Sequence, residues 1–228
     1  RGLGHTSATR YLKAAGGKDG MNVPPAVVDE DSELGRRYIA AMQLAGRYAY
    51  AGREWVVERV RQIIGGSVTE TVHNHHNYAW IEEHDGEQLV VIRKGATPLA
   101  PGQLGFIGGS MADMSAIVRG LDSEEARASL NSTVHGAGRI MSRRAALGKR
   151  NKETGQLEGG RVTPEQMRDA VHAYGVELRG AGVDESPFVY RALRDVLNAH
   201  SETLEILHEL RPIGVAMAGG DVRDPYKD

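Results

Sequence analysis

The chain has 228 residues, enough for one large domain or two small ones with a substantial core. Hydrophobic residues make up 40% and charged residues 25%, the balance of an ordinary globular protein, and the net charge of −2 excludes a global field drawing in nucleic acid. With no cysteine there is neither a disulfide nor a thiolate metal site, which fits a reducing, cytoplasmic setting. No apolar run approaches the roughly 18 residues of a membrane span, and no signal peptide is visible, so no membrane partner is expected. The 29 glycines point to many turns and to places where backbone can approach a ligand closely.

Residues 1–31 carry turn formers, Gly16-Gly17, Gly20 and Pro24-Pro25, and read as irregular. Asp31-Ser32 then offers an N-cap to a long amphipathic helix. Leu34, Tyr38, Met42, Ala45, Ala49, Val56, Val60 and Ile63 recur near helical spacing until Gly65-Gly66 stops it, with Gly46 or Gly52 as places for a bend. The period then changes. Tyr78–Glu83 and Gln88–Arg93 flank His84-Asp85-Gly86, a β-hairpin signature, with Glu82, Glu83 and His84 facing solvent near its tip. Residues 95–115 follow as Gly/Pro-rich loop with a short strand, Leu104–Ile107, opening into Gly108-Gly109-Ser110.

From Arg139 to Arg161 seven basic residues (139, 143, 144, 149, 150, 152, 161) meet two acidic ones (153, 158), a local charge of +5. Such a run is either a solvated loop or a surface for polynucleotide phosphates. Thr163-Pro164-Glu165-Gln166 reads as a capping box opening a helix to about residue 179. A second helix is expected from Phe188 to Leu210, burying Val189, Ala192, Leu193, Val196, Leu197, Leu204 and Leu207, before Pro212 and a short buried strand, Ile213–Met217.

Two strings carry chemistry. In His135-Gly136-Ala137-Gly138-Arg139 an imidazole is followed by open backbone, so a phosphate could approach a nitrogen nucleophile. A turn serving only backbone needs is the competing reading. In Asn74-His75-His76-Asn77-Tyr78 neutral imidazoles are available to a divalent metal. Adjacent strand residues point to opposite faces, so His75 and His76 do not share one ion, and a hydrogen-bonded structural histidine is the alternative. Gly108-Gly109-Ser110-Met111 with Ser115 resembles a backbone nest with hydroxyls for phosphate or sugar oxygens, or else a surface turn. It is not a Walker A loop, because no Gly-Lys-Ser/Thr follows.

The order of these strings resembles the RtcB-type RNA ligases. The matching elements run from Arg1-Gly2-Leu3-Gly4-His5 through His76-Asn77-Tyr78, Arg93-Lys94-Gly95-Ala96, Gly109-Ser110-Met111 and His135–Arg139 to Met141-Ser142-Arg143. They continue into Asp184-Glu185-Ser186-Pro187, Tyr190 and the strand after Leu210-Arg211-Pro212. The resemblance implies an enzyme that joins an RNA 3′-phosphate, or 2′,3′-cyclic phosphate, to a 5′-hydroxyl using GTP and Mn²⁺, in tRNA splicing or RNA repair. It matches His135 with the histidine that attacks the GTP α-phosphate and becomes guanylylated, and His76 with a manganese ligand that also borders the guanylate. Asn77, Gly108, Gly109, Ser110, Met111, Ser115, Gly136, Ala137 and Gly138 fall at positions surrounding GMP, and Arg1 at one that binds RNA-terminal phosphate.

The same resemblance marks two departures. The family's other manganese ligands, in segments carrying Asp and Cys, Asn and His, and a further His, have no counterpart here. The chain is therefore expected to be the C-terminal portion of a single RtcB-like catalytic domain, residues 1–228, a fragment or processed product that does not ligate alone. A separate N-terminal segment would be its partner, alongside RNA and GTP. Ala218 stands where the family has a GMP-contacting lysine, and Lys227 could fold back to replace it. A degenerate nucleotide- or RNA-binding homologue, or a structural half, are the alternative readings. The expected architecture is α+β, with mixed or antiparallel sheets flanked by helices.

Overall fold

The computed structural model describes residues 10–17, 27–151, 153–155 and 157–219. Their contacts divide into two compact units, one holding the described residues up to Thr71 together with Asn77–Ile92, the other Val72–His76 and the chain from Arg93 onward. Helices and several small sheets coexist without βαβ alternation, so the class is α+β, as the sequence predicts.

The first unit is built on α1, Glu33–Ile64. The Ser32 side chain accepts from Gly35 N, and Gly65 closes the helix in the left-handed region at φ 73°. At Gly46 a Cβ would come within 2.5 Å of the Tyr78 ring, so glycine lets α1 lie on the strand β1, Asn77–His84. β1 pairs with β2, Glu87–Lys94, around Asp85-Gly86, whose φ angles of 52° and 81° are those of a type I′ turn. The helix is continuous through Gly52, but its apolar positions are not a buried stripe. Tyr48, Trp55, Val60 and Ile63 are all exposed, because the hairpin covers only the N-terminal part. Glu82 and His84 differ from expectation too: they pair, Oε2 to Nε2 at 2.9 Å, and are largely buried.

In the second unit a three-stranded antiparallel sheet runs in the order β10-β5-β4, with β4 at Leu104–Ile107, β5 at Ser115–Gly120 and β10 at Leu204–Leu210. Leu99, Ile107, Ala116, Val118, Ala137, Leu193, Leu197 and Leu204 close its main core. β3, Ala96–Pro98, pairs antiparallel with β6, Ser132–Val134, and a short helix α2, Glu124–Ala128, connects the two sheets. A second core gathers Met111, Ala146, Val162, Met167, Val171, Val176 and Val189 around α3, Arg143–Leu147, and α4, Pro164–Ala173. Between α3 and α4 the chain makes a two-stranded arm, β7 (Lys149–Arg150) with β8 (Leu157–Glu158).

Two helix expectations are corrected. The Thr163/Gln166 capping box opens α4 as predicted, but Gly175 at φ 82° ends it early. Glu177–Ala181 becomes β9, which pairs parallel with β11, Gly214–Gly219. That last strand is found where predicted but is not buried, Ile213 and Met217 being exposed. The helix expected over 188–210 is instead a 3₁₀ turn, Pro187–Val189, a short α5, Leu193–Asn198, and β10. Val189, Leu193, Leu197 and Leu204 are buried in both readings, because a short apolar run fits either period until pairing with β5 decides. Among the described residues no helix is long and apolar enough to cross a membrane.

Leu193 is fully buried and Trp55 is 69% exposed. Leu193→Ala is expected to cost about 2–5 kcal/mol in urea unfolding, from lost burial and the cavity left behind. Trp55→Ala should stay within roughly 0.5 kcal/mol of the parent protein.

Candidate active site

The glycines of the two strings meet edge to edge. Gly108 and Gly136 form an isolated parallel bridge: Gly108 N donates to His135 O at 3.3 Å, and Ala137 N donates to Gly108 O at 3.0 Å. A Cβ on Gly136 would sit 2.9 Å from Gly108 O, and one on Gly109 would sit 2.0 Å from Met114 O. A side chain at Gly136 would push the two strings apart, and one at Gly109 would force open its own loop at Met114. Ala137, between Gly136 and Gly138, is buried and anchors the string in the main core. Gly138 turns the chain at φ 72°.

His135 projects from this seam against His76. Their rings stack with centroids 5.2 Å apart and planes 25° from parallel. Gly95, at φ 76°, sets the approach: its N–H donates to His76 O at 2.9 Å, and its Cβ position lies 3.6 Å from His135 Nε2. The string Arg93-Lys94-Gly95 is therefore the floor on which the imidazole rests. Arg93 fixes that floor from below, almost fully buried, donating from Nε to Ser132 Oγ at 2.8 Å and from Nη2 to Leu130 O at 2.7 Å. Asn74 Oδ1 accepts from Phe106 N at 3.2 Å and ties the histidine segment to β4. Both imidazoles keep one side open to solvent. Loss of water on the packed side, and then the neighbouring His76, push the His135 pKa below the ordinary histidine value. A neutral imidazole keeps a lone pair, the form needed by a nucleophile or a metal ligand.

The loop after Gly108 is built differently from a nest. The amides of Gly108 and Gly109 are both engaged, Gly109 N donating to Ser115 Oγ at 3.3 Å. What the glycines offer is close approach rather than a pair of open donors. Asp113 holds the loop in shape: Oδ1 accepts from Met114 N and Oδ2 from Leu193 N, both at 2.7 Å, so a carboxylate from afar caps α5. Met111 is buried in the second core, while Ser110 and Ser115 are partly accessible. Asn77 directly follows His76 and opens β1. Ala218 lies in β11, and Arg1 and Lys227 lie outside the described residues.

In the sequence Arg139 and Arg143 are members of a basic run, and the structure gives them another task. Arg139 donates from Nη2 to Asp184 O at 2.7 Å, from Nη1 to Tyr190 Oη at 3.1 Å and from Nε to Met141 O at 3.2 Å. Its guanidinium also lies over the Tyr190 ring, 5.1 Å from the centroid. Tyr190 donates in turn to Glu185 Oε2. Arg143 pairs with Glu185 at 3.3 Å and with the buried Asp184 carboxylate at 3.5 Å. The available signal was Asp184-Glu185 and Tyr190, an acidic pair and an aromatic, but their partners stand about 45 residues upstream and no local period links them.

As a cation site the described residues are incomplete. No three His, Asp or Glu side chains among them converge. Two stacked imidazoles supply nitrogen only, whereas manganese favours oxygen-rich sets. His76 fits as one donor and not as a site.

Comparison with known proteins agrees with this arrangement of strings. The family model described as tRNA-splicing ligase RtcB matches residues 1–218. The tRNA-splicing ligase RtcB of Pyrococcus furiosus is 34% identical over 95% of this chain and 25% of its own length. The RNA-splicing ligase RtcB of Escherichia coli K12 is 32% identical over 93% of this chain and 53% of its own, and that of Mycobacterium tuberculosis 30% over 89% and 51%. The chain thus spans a quarter to about half the length of these relatives. With the match running through every string that builds the seam, the chain belongs to the tRNA-splicing ligase RtcB family.

Proposed function

We propose that this chain carries the nucleotidyl-accepting half of a GTP-dependent RNA ligase. The carrying observation is the His135 imidazole, stacked on His76 and seated on Gly95 beside the Gly108–Gly136 seam. In this reading a neutral His135 nitrogen attacks the α-phosphorus of GTP, pyrophosphate leaves, and the histidine holds GMP through a phosphoramidate. The guanylyl group passes to an RNA 3′-phosphate and frees the imidazole. A 5′-hydroxyl then attacks that activated phosphate, GMP leaves, and the strand is sealed.

The chain's residues divide this work. The glycines at 108, 109, 136 and 138 let the nucleotide phosphate come within reach of the imidazole, with Ala137 holding their spacing from below. Ser110 and Ser115 border the space as hydroxyls, Met111 contributes backbone while its side chain stays in the core, and Asn77 contacts guanylate. Arg1 takes the RNA-terminal phosphate. Bound manganese would neutralise charge on the phosphates. His76 supplies one of its ligands, and the remaining donors come from the part of the relatives' length that this chain does not span. On that view residues 1–228 are the C-terminal portion of one catalytic domain. Ala218, where the family has a GMP-contacting lysine, favours a second reading, a binding homologue without catalysis.

Labelled GTP with Mn²⁺ separates the two. Intact protein is expected to acquire an acid-labile, alkali-stable label that His135→Asn abolishes; absence of label in the parent protein favours the binding reading. Because its pKa is lowered, His135 stays neutral to more acid pH than a free histidine. Labelling should therefore fall off at a more acid pH than an ordinary histidine would give; a fall at or above the ordinary histidine range contradicts the lowered pKa. In the same assay Lys227→Ala should weaken labelling if Lys227 replaces the family lysine, and an unchanged rate removes that role.

A further inference from the structure

The described side chains of the basic run 139–161 divide into two sets of cations. Arg139 and Arg143 turn inward, where Glu185 pairs with both, Asp184 pairs with Arg143, and Asp184 O and Tyr190 Oη accept from Arg139. Arg144, Lys149 and Arg161 turn outward, are exposed, and form no ion pair with another described residue. Lys149 opens β7 of the arm, Arg144 stands on α3 just before it, and Arg161 follows β8. Glu158, opposite Lys149 in the strand register, is held instead by the Asn151 amide at 2.9 Å.

The arm is braced at its root. A Cβ on Gly148 would lie 2.2 Å from Glu158 O, and one on Gly160 would lie 2.6 Å from Ala146 O, so the two strands cross at backbone contact. Arg161 N donates to Ala145 O at 3.0 Å, and Ala146 is fully buried in the second core. The same α3 carries Arg143, whose acidic partners also hold Arg139, four residues after His135. Lys149 is therefore presented on a rooted hairpin and Arg144 and Arg161 at its braced root, which lowers the ordering cost of binding. The segment 139–161 holds no aromatic residue. It offers no aromatic platform for bases, and it lacks the aromatic anchors of a protein interface.

We propose that this arm clamps the sugar-phosphate backbone of RNA, without reading sequence, through Arg144, Lys149 and Arg161. The partner class rests on the ligase reading above; the surface and its chemistry do not. Each phosphate contact releases counterions, so it appears as a slope in the dependence of affinity on salt. The probe is a fluorescent single-stranded RNA with a 5′-phosphate and a 3′-hydroxyl, ends that ligation does not use. Its affinity for intact protein is measured by anisotropy over a KCl series.

The triple variant Arg144→Ala, Lys149→Ala, Arg161→Ala is expected to flatten the slope of log affinity against log salt by about 2, at roughly 0.7 per single-strand contact. The charge-conserving triple Arg144→Lys, Lys149→Arg, Arg161→Lys should keep the parental slope. Guanylylation of His135 should be the same in all three proteins. An alanine triple with the parental slope and affinity overturns the clamp, as does a charge-conserving triple that loses as much as the alanine one. If the parent protein takes no label from GTP yet shows the slope difference, the ligase reading fails and the clamp stands.

Discussion

The backbone contact between Gly108 and Gly136 is the constraint on which the candidate site depends. Two segments nearly 30 residues apart approach until the carbonyl oxygen of Gly108 lies 2.9 Å from where a Cβ on Gly136 would be. That distance is possible only without side chains, and it puts His135 at the lip of the seam. The buried Ala137 and Ile107 beside it belong to the same core, so hydrophobic burial holds together what polar chemistry uses. Removing one glycine's permissiveness would move the imidazole, the loop of Ser110 and the core contact together.

Around the seam, polar groups act at long range where regular structure cannot. Asp113 caps α5 eighty residues away, Arg93 reaches Leu130 and Ser132, and Arg139 reaches Asp184 and Tyr190. Each satisfies buried donors or acceptors that would otherwise carry a desolvation cost of about 1–3 kcal/mol. Arg139 is the most consequential. Its guanidinium joins the end of the glycine string to the Asp184–Tyr190 segment, so the string is braced from both ends. Inward arginines thereby serve rigidity, which leaves the outward cations of the same run for solvent and for ligands.

Much of the candidate site was legible in residue types. His135 with its glycines and His76 after Asn74-His75 are rare local combinations whose chemistry follows from imidazole and bare backbone. Cap signals were equally readable: Ser32 and Gly65 bound α1, Asp85-Gly86 turns the hairpin, and Thr163 with Gln166 opens α4. These succeed because their energetics are settled within four or five residues. The stretch 188–210 was misread for the converse reason. Leu193, Leu197 and Leu204 satisfy a helical period, yet β10 gains its hydrogen bonds from β5, more than eighty residues earlier.

By itself, then, the sequence determined the elements with local capping chemistry, the reactive residue types and the excess of positive charge after His135. Only the tertiary structure decided that His76 and His135 stack, that Gly108 and Gly136 touch, and that Arg139 and Arg143 face acids while Arg144, Lys149 and Arg161 face water. Those outcomes depend on contacts between residues far apart in the chain. No local propensity encodes such contacts, because their free energy exists only once the core has closed.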